Sequence, residues 1–146
     1  MQKEYHSVPT ASGIGAVAEK ERKNGNTILA DIICEEVVFP QLESIKKAYE
    51  KGILIGTGTD TAGDMCEELL FLEKAGLSRY QALQCATLNA SKIVENNMIG
   101  TIECGKIADL VLLNSNPLDD LRNIRTVNTV VFEGEVVNEQ WMCNLQ

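Results

Sequence analysis

The run Ile53-Leu54-Ile55-Gly56-Thr57-Gly58-Thr59-Asp60 constrains this chain more than any other segment. Three consecutive aliphatic residues leave no polar face, so the segment must be covered on both sides, as a strand of a parallel sheet is. The glycine and hydroxyl residues behind them end the apolar run and deliver a carboxylate, Asp60, at its end. Both flanks read as helix. Before the run, Leu42, Ile45, Ala48 and Tyr49 share one helical face within Gln41 to Lys51, and Gly52 closes it. After it, Cys66, Leu69, Leu70, Leu72 and Ala75 repeat the helical period, and Gly76 is the stop. The expectation is a strand over Ile53–Thr59 and a helix over Cys66–Ala75 packed on it, with Leu69 and Leu72 facing inward.

The rest of the chain extends this βα unit. Met1 to Gly25 combines a turn at Val8-Pro9-Thr10 with Gly13 and Gly15, then a charged helical segment, Glu19-Lys20-Glu21-Arg22-Lys23, whose alternating signs make a solvated face. Ile28 to Phe39 is mostly apolar and ends at Pro40. Ser78-Arg79-Tyr80-Gln81 is a capping box, in which the serine accepts from the third helical N–H and the glutamine reaches back. The helix it opens buries Ala82, Leu83, Ala86, Ala90 and Ile93. From Ile99 the character turns to β: Ala108–Leu113 and Val127–Val137 are strand-like, the second divided by a two-residue hairpin turn at Glu133-Gly134, while Asn116-Pro117-Leu118 breaks the chain between them. The class is α/β.

Composition narrows the partners. A formal net charge of −8 over 146 residues, without a basic cluster, excludes a nucleic-acid partner, because phosphate binding needs grouped Lys and Arg. No apolar run approaches the roughly 18 residues of a membrane span, so no membrane partner is expected. Cysteines 34, 66, 85, 104 and 143 form no C-x-x-C pair; their odd number, with no signal peptide, points to reduced thiols and a cytoplasmic location. Cys66 and Cys85 fall at helical positions that suit a small apolar side chain, and read as core.

Three segments in this order resemble the metal-dependent amidohydrolases. Gly56-Thr57-Gly58-Thr59-Asp60 is similar to the end of that family's last barrel strand. Ala75-Gly76-Leu77-Ser78, with Gln81-Ala82-Leu83, Ala86-Thr87 and Asn89-Ala90, is similar to the helices behind it. Ile99-Gly100-Thr101-Ile102-Glu103, Gly105 through Leu113 and Asn116-Pro117-Leu118 resemble the return into the family's flanking β domain. The likeness runs from about Leu42 to Val137 and is nearest to the imidazolonepropionase and Xaa-Pro dipeptidase-like branch.

The resemblance implies that residues 1–98 are the C-terminal βα units of a (β/α)8 amidohydrolase barrel, and residues 99–146 a small β segment of the flanking β-sandwich domain. It implies that Asp60 is both catalytic and a metal ligand, binding a divalent ion (zinc above all) and taking the proton of the attacking water. A carboxylate at a strand end can do both. Taken alone, Asp60 reads equally as a helix N-cap or turn aspartate; the ordered series around it favours the site. The family's H-x-H, its bridging lysine or carboxylate and its later histidines belong to earlier strands. One histidine, His6, and one aspartate are too few for a zinc site, so the complete enzyme is expected to hold the metal and this chain alone to hold none. Cys66 stands where many relatives carry histidine and receives no role, and His6, beside Val8-Pro9-Thr10, is expected near the seventh strand as a candidate neighbour of the pocket.

The remaining acidic residues read as structural. Asp64 and Thr61 start the helix after Asp60, Asp109 sits at a turn into a strand, Glu67-Glu68 are solvated, and Asp119-Asp120 are solvated and favour the N-terminus of a following helical turn. The expected function is metal-assisted hydrolysis of a C–N bond in an amide, peptide or cyclic amide, with a small-molecule or peptide substrate in the complete enzyme. The chain alone is expected to be inactive and to need a missing N-terminal half or self-association. The alternatives are a non-enzymatic remnant or oligomerisation module, or one half of a split enzyme.

Overall fold

The computed structural model describes residues 5–60 and 64–137. Thr61 and Cys143, read above as a helix starter and a reduced thiol, lie outside them. The described residues form a mixed α/β structure with two small sheets. The first strand, β1 (His6–Ser7), is followed by three helical segments, α1 (Ser12–Lys23), α2 (Thr27–Ile33) and α3 (Phe39–Glu50), before the chain returns as β2 (Leu54–Ile55). β1 and β2 pair in parallel, with His6 opposite Leu54 and Ser7 opposite Ile55. Leu54 N–H donates to the Tyr5 carbonyl at 3.3 Å, and Gly56 N–H to that of Ser7 at 2.9 Å.

The strand is shorter than the seven residues expected for Ile53–Thr59. β2 has a described strand on one side only, and past Ile55 its backbone presses against the segment leaving β1 rather than continuing the ladder. The apolar run ends at Pro40, but the helix does not. A π-helical turn at Cys34–Val38 joins α2 to α3, so that helix runs without a break from Thr27 to Glu50. Proline interrupts the i→i−4 ladder, and the wider turn just ahead of it absorbs the change of register. Gly52 ends α3 as expected: at φ +75° its N–H donates to Tyr49 and that of Ile53 to Ala48, the paired bonds of a Schellman motif.

Behind β2 come α4 (Met65–Lys74), α5 (Arg79–Ala86) and α6 (Leu88–Ile93). Leu69 and Leu72 of α4 are buried in the common core with Ile55, as their period requires, and Cys66 and Cys85 pack there too. Gly76 repeats the Schellman closure. The capping box is present: Ser78 Oγ accepts from Gln81 N–H at 3.3 Å, while Gln81 Oε1 accepts from Ser78 N–H at 2.8 Å. The single helix expected behind it is two, broken at Thr87, where φ −126° and ψ −91° leave the helical region. The break lets the carbonyl of Thr87 lie close beside Gly100.

The chain then builds an antiparallel sheet, β3 (Leu110–Leu113), β4 (Val127–Phe132) and β5 (Glu135–Val136), in the order β3-β4-β5. Glu133 and Gly134 form the expected two-residue turn, both at positive φ (50° and 87°), as a type I′ hairpin needs. Asp109 accepts from Glu133 N–H at 2.8 Å, which fixes that turn. Asp120 caps the 3₁₀ segment Leu121–Arg125, accepting from Arg122 N–H at 2.8 Å. Leu121 is wholly buried in the core it shares with α4, so this segment anchors the second sheet to the first part of the chain.

Candidate functional site

Asp60 stands beyond the C-terminal end of β2 and is exposed. The helix behind it does not need it. Asp64 is the N-cap of α4, its Oδ1 accepting from Cys66 N–H at 2.7 Å and Glu67 N–H at 3.3 Å. Of the two structural readings of Asp60, the helix cap is therefore removed. Its backbone lies in the left-handed region at φ +50°, which short polar side chains tolerate. Thr10, on the segment leaving β1, is also left-handed at φ +48°, and a β-branched residue there is a true outlier. Both parallel strands thus run into a strained, non-glycine turn at the same end, a condition that persists only where the surroundings impose it.

Those surroundings can be named. A Cβ on Gly58 would lie 2.7 Å from Val8 Cγ1 and 3.1 Å from Thr10 Cγ2, so only glycine lets the two exit segments touch. A Cβ on Gly56 would meet Ile93 Cδ1 at 2.6 Å. On the side of β2 away from β1, Asn89 Nδ2 donates to the Ile55 carbonyl at 2.9 Å, supplying from α6 the donor that a further strand would provide.

Glu68 overturns an expectation. It is not solvated but has no exposed surface, and its carboxylate accepts from Ala11 N–H at 3.2 Å and Ser12 N–H at 2.8 Å. A buried carboxylate at the first turn of α1 satisfies donors that the helix cannot, and meets the positive end of its dipole. It also fixes the backbone immediately after Thr10. The signal was in the period: Glu68 lies four residues before Leu72, on the buried face of α4. Its neighbour Glu67 is exposed as expected.

Arg125, unremarked in the sequence, ties the second sheet's anchor to the N-terminus of α4. Its Nη2 donates to Asp64 Oδ1 at 3.0 Å and Glu67 Oε1 at 3.1 Å. Burial works to raise the Asp64 carboxyl, but the N–H groups of Glu67 and Cys66, with Arg125, outweigh it and hold it below its ordinary value. Glu67 and then Asp64 push the Arg125 guanidinium higher still. The buried thiols move the other way: burial raises Cys66, and pushes Cys85 up to about 11 against the opposing hydrogen bond from Asn89. Both stay protonated near neutral pH, as core residues and not as ligands or nucleophiles.

His6 is exposed on β1 beside Leu54, while Asp60 lies past the strand ends. Among the described residues no three His, Cys, Asp or Glu side chains gather as metal ligands. Nor does any described helix have the length and apolarity to cross a membrane.

Comparison with known proteins places this arrangement. Residues 4–137 match the model of the amidohydrolase family. Ochratoxinase from Aspergillus niger is 35% identical over 86 residues, covering 56% of this chain and 18% of its own length. Imidazolonepropionase from Thermoanaerobacter pseudethanolicus is 37% identical over 97 residues, covering 59% and 23%. The crystal structure of a Xaa-Pro dipeptidase with methionine bound in the active site superposes with a TM-score of 0.74 at 30% identity, over 90% of this chain and 34% of that one. The chain thus spans between about a fifth and a third of the length of these relatives and matches their C-terminal portion.

Proposed function

Because the chain belongs to the amidohydrolase family, we propose that it forms the C-terminal part of a hydrolase that cleaves a C–N bond in an amide, a peptide or a cyclic amide. In this reading β1 and β2 are the last two strands of a (β/α)8 barrel. Residues 1–98 complete the barrel, and residues 99–146 belong to a flanking β domain. Barrel enzymes work at the C-terminal ends of their strands, and that is the end at which Thr10 and Asp60 lie. The names of the relatives, an ochratoxinase, an imidazolonepropionase and a Xaa-Pro dipeptidase, support a small-molecule or peptide substrate.

Asp60 is the residue that carries the chemistry. As a carboxylate it accepts the proton of the attacking water and returns it to the departing nitrogen. It also offers one ligand to a divalent cation, for which zinc suits a mixed oxygen and nitrogen donor set. The described residues do not fit such an ion unaided, since a catalytic zinc takes about three protein ligands and no trio gathers here. In this reading the other ligands lie outside the described residues, in the N-terminal part of an amidohydrolase, and the active species contains both parts.

One observation carries the reading: the helix behind Asp60 is capped by Asp64, which leaves Asp60 at the strand end without a capping duty. The test is amide hydrolysis by the reconstituted assembly. Turnover that depends on Asp60 supports the proposal, and an assembly that forms but hydrolyses no amide removes it.

A further inference from the structure

Helices α1 and α4 lie side by side and run in the same direction. Glu68 accepts the N–H of Ser12 at 2.8 Å, and a Cβ on Gly15 would lie 3.7 Å from Phe71 Cε2, so the two helices advance together. With the π-helical turn and α3 they enclose a cleft of about 420 Å³, and every described residue lining it lies between Ser12 and Lys74. Close-packed interiors hold few voids larger than a water molecule, so a space of this size is on the scale of a small-molecule site. It is open because α1 turns small residues to it, Gly15, Ala16 and Ala18, while Val38, Leu42 and Phe71 give it apolar walls.

The two ends differ in chemistry. At one end stands Ser12, 4% exposed, whose buried Oγ has no hydrogen-bond partner among the described residues. Buried hydroxyls are nearly always paired, and this residue lines the cleft. The Glu68 carboxylate is bound at the same end, so the vacant partner of Ser12 is a neutral group and not an anion. At the other end are Arg22 and Lys74, in the last turns of α1 and α4. Since Glu68 is level with Ser12, Lys74 is level with Ala18, about 9 Å farther along the axis. The acids that line the cleft are already paired, Glu19 with Lys23 at 3.8 Å and Glu67 with Arg125 at 3.1 Å, and Arg22 is held by Asp31 at 2.7 Å. Lys74 makes no ion pair among the described residues, which leaves its charge for a ligand.

We propose that the cleft between α1, α3 and α4 binds a small aromatic carboxylate that carries a hydroxyl at its far end. The carboxylate meets Lys74, with Arg22 beside it. The ring lies along the small residues of α1 against Phe71, and the hydroxyl pairs with Ser12 Oγ. This site is independent of Asp60 and of the hydrolase reading.

The experiment is calorimetric titration of the full chain with 3-(4-hydroxyphenyl)propionate, whose hydroxyl and carboxylate are separated by about the length of the cleft. Saturable 1:1 binding is expected. Two analogues each lack one group: 3-phenylpropionate has no hydroxyl, and 3-(4-hydroxyphenyl)propanamide has no charge. Lys74→Gln should weaken the hydroxylated acid about fivefold and leave the amide unchanged. Ser12→Ala should weaken it about fivefold and leave 3-phenylpropionate unchanged. Because Ser12 Oγ has no partner to lose, Ser12→Ala should fold with an unaltered Tm. Ala16→Phe, at an exposed position on the cleft, should block all three compounds. The absence of saturable binding, binding that survives Ala16→Phe, or losses that do not follow the matching group on the ligand would each overturn the proposal.

Discussion

The carboxylate of Glu68, with no surface open to solvent, accepts the backbone N–H of Ser12 at 2.8 Å and so ties α4 to the first turn of α1. Glu68→Ala should leave the N–H groups of Ala11 and Ser12 buried without an acceptor, at a cost of about 2–4 kcal/mol. Glu68→Gln keeps one acceptor oxygen but turns an amide donor toward a donor, and should cost less, about 1–2 kcal/mol. Urea unfolding of the three proteins orders them. A stable Glu68→Ala would mean that this contact holds nothing.

Gly100 and Gly105 offer a paired test of the return from α6 to the second sheet. Both are left-handed, at φ +88° and +89°, but a Cβ on Gly100 would lie 2.5 Å from Ser91 Oγ and 2.9 Å from the Thr87 carbonyl, while one on Gly105 would meet nothing within 4 Å. Gly105→Ala should cost only the conformational penalty, about 1 kcal/mol. Gly100→Ala adds a clash with backbone and should cost about 2–4 kcal/mol. Equal losses in denaturant midpoint would contradict the close packing.

How much of this was legible varies with the range of the cause. Gly52, Gly76, the Ser78 and Gln81 capping box and the Glu133-Gly134 turn are set by neighbours within a few residues, and each stands where the sequence puts it. Strand β1 was not legible in the local pattern of residues. His6 and Ser7 become a strand only through Leu54 and Ile55, far along the chain. The break at Thr87 carries no glycine or proline signal and answers to packing against Gly100. Glu68 was misread because an acidic pair looks solvated, although helical period alone puts it with Leu72. At the site, Asp60 was legible as a strand-end carboxylate, and Asp64 as a starter of the following helix; its local hydrogen bonds take the capping role and leave Asp60 free of it.

The Glu67 and Cys66 N–H groups, with Arg125 behind them, outweigh burial at Asp64 and make stability depend on pH. The folded Asp64 carboxyl lies below its ordinary value of 3.8. Its contribution is therefore complete above about pH 5 and is lost as the pH falls through the ordinary value toward the depressed one. Wild type should exceed Asp64→Asn in Tm near neutrality, and the gap should close between about pH 5 and pH 3. Thermal melts across that range measure it. A gap that widens on acidification would reverse the assigned sign.

Asp60→Asn in the assembly of this chain with a complementary N-terminal amidohydrolase part is the most direct measurement. Asparagine retains the size and one acceptor oxygen but loses the charge that holds a cation and the basic site that takes a proton. Hydrolysis of the amide that the wild-type assembly turns over should fall by about 10²–10⁴-fold, the usual cost of removing a general base, with Tm unchanged. Near-normal turnover by the Asp60→Asn assembly would show that Asp60 is a turn residue and that the catalytic carboxylate lies elsewhere.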